Sequence, residues 1–121
     1  MSTDVILAID TATPHGGVAL WQADRLLVQA LLSAPREHSK RLFGEIENAL
    51  TVTQLDRSQL SAVAVSIGPG SFTGLRIGLS AAKGICSALQ APLVAVSTLE
   101  EVAARRPWAT RPVCPILDAR R

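Results

Sequence analysis

The chain is poor in the residues that most directly advertise chemistry. Among its 121 residues there is no tyrosine, and there are only two phenylalanines, two tryptophans, two histidines and two cysteines. So few aromatic rings make the stacking platforms that hold single-stranded RNA improbable. His15 and His38 lie in different segments, and neither has a partner one helical turn away, so no metal site is expected. Cys86 and Cys114 lack Cys-x-x-Cys spacing and stand among apolar neighbours, as reduced core thiols do. No apolar run reaches membrane-spanning length, and the N-terminus lacks the basic-then-apolar form of a secretory signal. A cytoplasmic protein is the expectation. The net charge of +2 is too small to argue for nucleic acid. Arg105, Arg106, Arg111, Arg120 and Arg121 gather late in the chain without interleaved aromatics, which fits a solvated basic surface.

What remains is an ordinary globular composition, with 48% apolar and 18% charged residues and a length that suits one domain. Val5 to Ile9 is a continuous apolar run ending at Asp10, which predicts a central strand buried on both faces. Pro14 and Gly16-Gly17 mark a turn. Val18 to Trp21 and Arg25 to Leu32 follow as two more strands, close enough in sequence to form an antiparallel meander. Beyond Pro35, apolar residues recur at helical spacing from His38 to Leu50. A short helical turn is expected over Asp56 to Leu60, a fourth strand over Ala62 to Ile67, and a long helix over Thr73 to Leu89. Pro92 opens a fifth strand, Leu93 to Val96. Ser97 or Thr98 then caps a short helix, with Glu100 and Glu101 at its start and Arg105 and Arg106 at its end, as the helix dipole favours. Val113 to Leu117 predicts a sixth strand, ending at Asp118. The class is α/β.

The most informative stretch is Gly68-Pro69-Gly70-Ser71-Phe72-Thr73-Gly74, which joins the fourth strand to the long helix. It departs from the dinucleotide fingerprint in spacing and lacks the Gly-Lys-Ser/Thr of a Walker A loop. An anion at the helix N-terminus is physically possible. A tight strand-to-helix turn with Ser71 as N-cap is preferred. Ser71 directly follows a glycine, which is the wrong spacing for a nucleophile elbow. Gly74 and Gly78 lie four apart on one helical face, where glycine costs roughly 1 kcal/mol against alanine. Another backbone is therefore expected to approach there. On a helical wheel Thr73, Arg76, Ser80, Lys83, Ser87 and Gln90 share a polar arc of about 100°. The remainder, from Leu75 to Leu89, is apolar or glycine, roughly twice the stripe that packing on a sheet requires. Other helices of the domain or a protein partner must cover the surplus.

Asp10 is the main candidate for polar chemistry. With Thr11 and Thr13 it could hold a magnesium-bound phosphate at the end of the first strand. The preferred reading is that Asp10 caps its own turn by bonds to the backbone of residues 11–13.

Several segments together resemble one family. Leu7-Ala8-Ile9-Asp10-Thr11-Ala12-Thr13 with Val18-Ala19-Leu20, then Arg36-Glu37-His38-Ser39, then Gly68 to Gly78, Ala82-Lys83-Gly84, Val96-Ser97-Thr98-Leu99 and Asp118-Ala119-Arg120 are similar to the TsaB (YeaZ) family. That family belongs to the actin-like ATPase superfamily and serves threonylcarbamoyladenosine biosynthesis in tRNA. The resemblance implies a ribonuclease H-like domain, with a mixed five-stranded sheet and helices on both faces, over residues 1–110. Residues 111–121 would be the opening strand of a second domain that the chain otherwise lacks. It implies a non-catalytic subunit that pairs with its paralogue TsaD, with TsaE in a larger complex, and touches tRNA only indirectly. A homodimer is implied when TsaD is absent. Pairing would use the two long helices, through His38, Leu42, Ile46, Gly74, Leu75, Gly78, Leu79 and Ala82. The superfamily places a metal- and phosphate-handling carboxylate at Asp10, so Asp10, Thr11 and Thr13 are the candidate nucleotide residues, though no cofactor is expected. TsaD carries a metal-spaced histidine pair where this chain has Ser97-Thr98-Leu99-Glu100. The competing expectation is an ATP- or metal-dependent enzyme of the same superfamily, as an older glycoprotease-like label suggests.

Overall fold

The computed structural model describes residues 3–32, 38–104, 108, 110–112 and 114–115. Its five strands are β1 (Val5–Asp10), β2 (Gly17–Gln22), β3 (Arg25–Leu31), β4 (Leu60–Ser66) and β5 (Leu93–Val96), and its helices are α1 (His38–Thr53), α2 (Phe72–Leu89) and α3 (Thr98–Ala104). The sheet runs in the order β3-β2-β1-β4-β5. The meander β1-β2-β3 is antiparallel, whereas β4 and β5 join parallel to β1. This follows from the connections: two short loops can only reverse a strand, while a helix carries the chain back to start a parallel one.

The two sides of the sheet are unequal. Val5, Leu7 and Ile9 of β1, Val18 and Leu20 of β2, and Val63 and Val65 of β4 are buried in one core with Leu42, Ile46, Ala49 and Leu50 of α1 and Ala81, Ala82 and Cys86 of α2. Each such Leu, Ile or Val contributes roughly 1.5–3 kcal/mol relative to exposure. Helices α1 and α2 lie side by side on this face, α1 over β2 and β3, α2 over β4 and β1. On the opposite side Ile6, Ala8 and Asp10 are only half-buried. The expectation that β1 is sealed on both faces is thus corrected. Its continuous apolar run hides an alternation, because the residues of the second face are apolar too. Helix α3 reaches that side at the rim, where Glu101 lines a cavity together with Ala8, Ala64 and Val96.

Local chemistry explains the ends of the elements. Strands β2 and β3 are joined by Ala23 and Asp24, both with positive φ, as a type I′ turn requires. Helix α1 runs three residues past the expected Leu50. Thr51 donates its hydroxyl to the Glu47 carbonyl at 2.9 Å, and Thr53 donates to that of Ala49 at 2.8 Å. Both hydroxyls are thereby satisfied inside the helix. The helix then stops with Gln54 in the left-handed region at φ 59°. Gln54 N–H donates to Thr51 O and Leu55 N–H to Leu50 O, the two bonds of a Schellman motif. Asp56 caps the 3-10 turn Arg57–Gln59, accepting from Ser58 N–H while Gln59 reaches back to the Asp56 N–H. The Ser58 bonds hold the exposed Asp56 carboxyl below its ordinary value. Strand β4 starts at Leu60, earlier than expected, since buried Leu60 pairs with Val5.

Cys86 is a core thiol, and burial pushes its titration up. Cys114 is exposed, contrary to expectation. The expected sixth strand, Val113 to Leu117, and the paired arginines Arg105 and Arg106 lie outside the described residues.

Candidate functional site

Asp10, Ser66 and Val96 stand at the carboxyl ends of β1, β4 and β5 and border a cavity of about 250 Å³ on the second face of the sheet. Ala8, Ala19, Ala64, His15, Gln29 and Glu101 also line it. Asp10 Oδ1 accepts from the Ser66 hydroxyl at 2.9 Å and from Ala12 N–H at 3.0 Å. The second bond is the expected self-capping of the turn after β1. Thr13 caps the same turn, its hydroxyl oxygen accepting from His15 N–H at 3.3 Å. Thr11 goes elsewhere. Its buried hydroxyl donates to the Gly74 carbonyl in the first turn of α2. The three residues expected to act together on a phosphate therefore point to different places, and only Asp10 lines the cavity. No cluster of three or more His, Cys, Asp or Glu residues suited to a metal occurs among the described residues.

The glycine-rich loop is the seat of α2. Ser71 is the N-cap, its hydroxyl oxygen accepting from Gly74 N–H at 3.1 Å. Ser71 N–H in turn donates to Ala12 O at 2.8 Å. Gly68 has φ 112° and is followed by a cis peptide bond to Pro69. A Cβ at Gly70 would overlap the backbone of Ala12, one at Gly74 the carbonyl of Thr11, and one at Gly78 the hydroxyl of Thr11. Glycine at these positions lets β1 and the turn after it lie directly against α2. The close backbone approach read from the Gly74–Gly78 spacing is real, and the approaching backbone is the chain's own.

The outer surface of the two long helices carries a second recess. Phe43 of α1 faces Thr73, Arg76, Ile77, Ser80 and Ala81 of α2 across a groove of about 450 Å³. Phe43 is 52% exposed and Phe72 is 74% exposed, values far from those of core aromatics. The Arg76 guanidinium lies 5.5 Å from the Phe72 ring centre, a cation–π distance.

Two comparisons with known proteins decide the family. Residues 32–121 match the pattern described as "TsaD: tRNA N6-adenosine threonylcarbamoyltransferase". The chain is also similar to the tRNA threonylcarbamoyladenosine biosynthesis protein TsaB of Escherichia coli, with 41% identity over 95% of this chain and 50% of the relative. The chain belongs to the TsaB (YeaZ) family. The TsaB protein of Bacillus subtilis is 37% identical over 96% of this chain and 51% of its own length. Among solved structures, YeaZ from Pseudomonas aeruginosa superposes with a TM-score of 0.80 at 37% identity, over 85% of this chain and 48% of the other. The chain thus spans about half the length of the TsaB relatives it matches. RuvC of Thermus thermophilus, in complex with a Holliday junction, shares the ribonuclease H-like fold at a TM-score of 0.53 and 23% identity, over 85% of this chain and 72% of the other.

Against the pairing residues implied by the TsaB resemblance, the structure places Leu42, Ile46 and Ala82 in the core and Gly74 and Gly78 against β1 and Thr11. These five face the interior of the domain, since a sheet-covering helix must bury its most apolar side. Leu75 and Leu79 are half-buried, and Leu79 packs on the core. The His38 side chain lies outside the described residues. Phe43 and Phe72 are the exposed aromatic residues of these helices instead, with half-buried Ile77 opposite Phe43. Phe43 had a signal in the sequence, because it directly follows the core position Leu42 and so falls about 100° round the helix, on its flank.

Proposed function

We propose that this chain is a non-catalytic docking subunit in the formation of N6-threonylcarbamoyladenosine next to the tRNA anticodon, and that it pairs with TsaD through the outer surface of α1 and α2. The observation that carries this reading is the groove between those helices, where exposed Phe43 faces Arg76, Ile77 and Ser80, and Arg76 in turn lies over the exposed ring of Phe72. Two largely exposed phenylalanines are costly in water and rank among the side chains that anchor protein interfaces. Membership of the TsaB family supplies the pathway, and the match to the TsaD pattern suggests a paralogue as partner. Thr11 and Asp10 support the non-catalytic part, because their polar atoms are engaged in holding the loop before α2. In this reading TsaE joins the pair in a larger assembly and tRNA is reached through TsaD.

Sedimentation of the full chain, alone and mixed with TsaD from the same organism, tests the pairing. A species with the mass of one copy of each, displacing any homodimer, is the expected result. Two independent species at micromolar concentrations would refute the docking role.

A further inference from the structure

An acid at the end of β1 invites a ligand role, but the bonds around Asp10 lead into the protein. One carboxylate oxygen, Oδ1, receives both the Ser66 hydroxyl and the Ala12 N–H. The same residue, Ala12, uses its carbonyl to receive Ser71 N–H at 2.8 Å. Ser71 is the N-cap of α2. Between Asp10 and Ala12, the Thr11 hydroxyl is donated to the Gly74 carbonyl, and the missing side chains of Gly70, Gly74 and Gly78 let Thr11 and Ala12 lie against the helix start. From the cavity on one side of the sheet to the helix on the other runs a connected path: Ser66, Asp10, Ala12, Ser71 and the first turn of α2.

We infer that Asp10 and Thr11 are positioning residues: they form a strut that sets the place and angle of α2, and with it the docking surface that α2 presents. This inference rests on the docking reading for its functional consequence. Its physical core is independent of it. The strut needs from Asp10 a hydrogen-bond acceptor at Oδ1. A phosphate- or magnesium-handling carboxylate would need the charge. Asparagine separates the two roles, because its carbonyl oxygen can accept the same two bonds.

The experiment compares Asp10→Asn with Asp10→Ala, and Thr11→Ser with Thr11→Val, in the full chain. Each is read by hydrogen exchange at the amides of Ser71, Gly74 and Leu75 and by affinity for TsaD at a temperature well below unfolding. Asp10→Ala and Thr11→Val should speed exchange in that turn and weaken pairing, each by about tenfold, the loss of roughly one well-placed hydrogen bond. Asp10→Asn and Thr11→Ser should restore wild-type values in both readouts. If Asp10→Asn is as damaging as Asp10→Ala, the charge is what matters and the strut is refuted. Unchanged exchange in Asp10→Ala refutes it as well. Should Asp10→Ala fail to fold, the threonine pair decides by the same criteria. If the wild-type chain does not bind TsaD at all, the docking reading falls, and the exchange data alone decide the strut.

Discussion

Glycine does opposite things at different positions of the same helix. At Gly74 a methyl group would strike the Thr11 carbonyl, backbone that cannot step aside. At Gly84, ten residues further along α2, a methyl group would meet nothing within 4 Å. Gly84→Ala should therefore raise stability by about 0.5–1 kcal/mol, the cost of glycine in a helix interior. Gly74→Ala should lower it by about 1–3 kcal/mol, as forced overpacking does. Urea unfolding midpoints of the two variants check both signs, and a stabilised Gly74→Ala would disprove the close packing. The Gly74–Gly78 spacing was legible in the sequence as a demand for close approach. What approaches was not, because Thr11 lies more than sixty positions earlier and no local pattern links the two.

At the scale of elements, the sequence yields the five described strands and three helices in their right order and gives the bounds of β5 and the end of α2 as observed, but it misplaces the end of α1 and the start of β4. The ends depend on hydrogen bonds that composition does not announce. Neither long helix stops at a glycine. Helix α2 ends with Gln90 in the left-handed region at φ 53°, and Ala91 N–H donates to Cys86 O, repeating the device that ends α1 at Gln54. A non-glycine residue in that region pays roughly 1–2 kcal/mol in steric repulsion. Gln90→Gly should recover about 1 kcal/mol of it, with the remainder offset by the greater freedom of glycine in the unfolded chain. Thermal unfolding of Gln90→Gly measures the gain, and a loss of stability would show that the glutamine side chain has a structural task. The β2–β3 turn escaped detail for the same reason, since Ala23-Asp24 is not the Asn-Gly pair that usually signals a type I′ turn.

For the whole molecule, the helical wheel gave a surplus of apolar surface on α2, and most of it is used internally, by Leu79, Ile85 and Leu89 packing on the core. Ile77 packs on the core with one side and lines the groove opposite Phe43 of α1 with the other, and Phe72 at the start of α2 is left exposed. A lone sequence cannot divide an apolar arc between interior and exterior, because that depends on where the neighbouring helix lies. Phe43→Glu should abolish pairing with TsaD while changing the free energy of unfolding by less than about 0.5 kcal/mol, the usual limit for an exposed position. Sedimentation of the variant with TsaD, beside its denaturation curve, is the check. Unimpaired pairing would move the interface off the groove. The capping of the turn after β1 by Asp10 was legible in the sequence, whereas the cavity it borders was not. Its connection through Ala12 to the helix N-cap emerged only with the tertiary structure.

The sheet order has a consequence for how the chain is made. Strand β1 is central, yet its two neighbours reach it at very different times. The antiparallel partner β2 follows after one short loop, whereas Val5 meets Ser61 and Asp10 meets Ser66 across 56 positions. During synthesis the three-stranded meander leaves the ribosome complete, with Val63, Val65 and α2 still unmade. Closing that long loop is slower than forming the local hairpins. The nascent meander thus has to wait with the β4 side of β1 open, and α1, made in the interval, is the first element able to shield its apolar face.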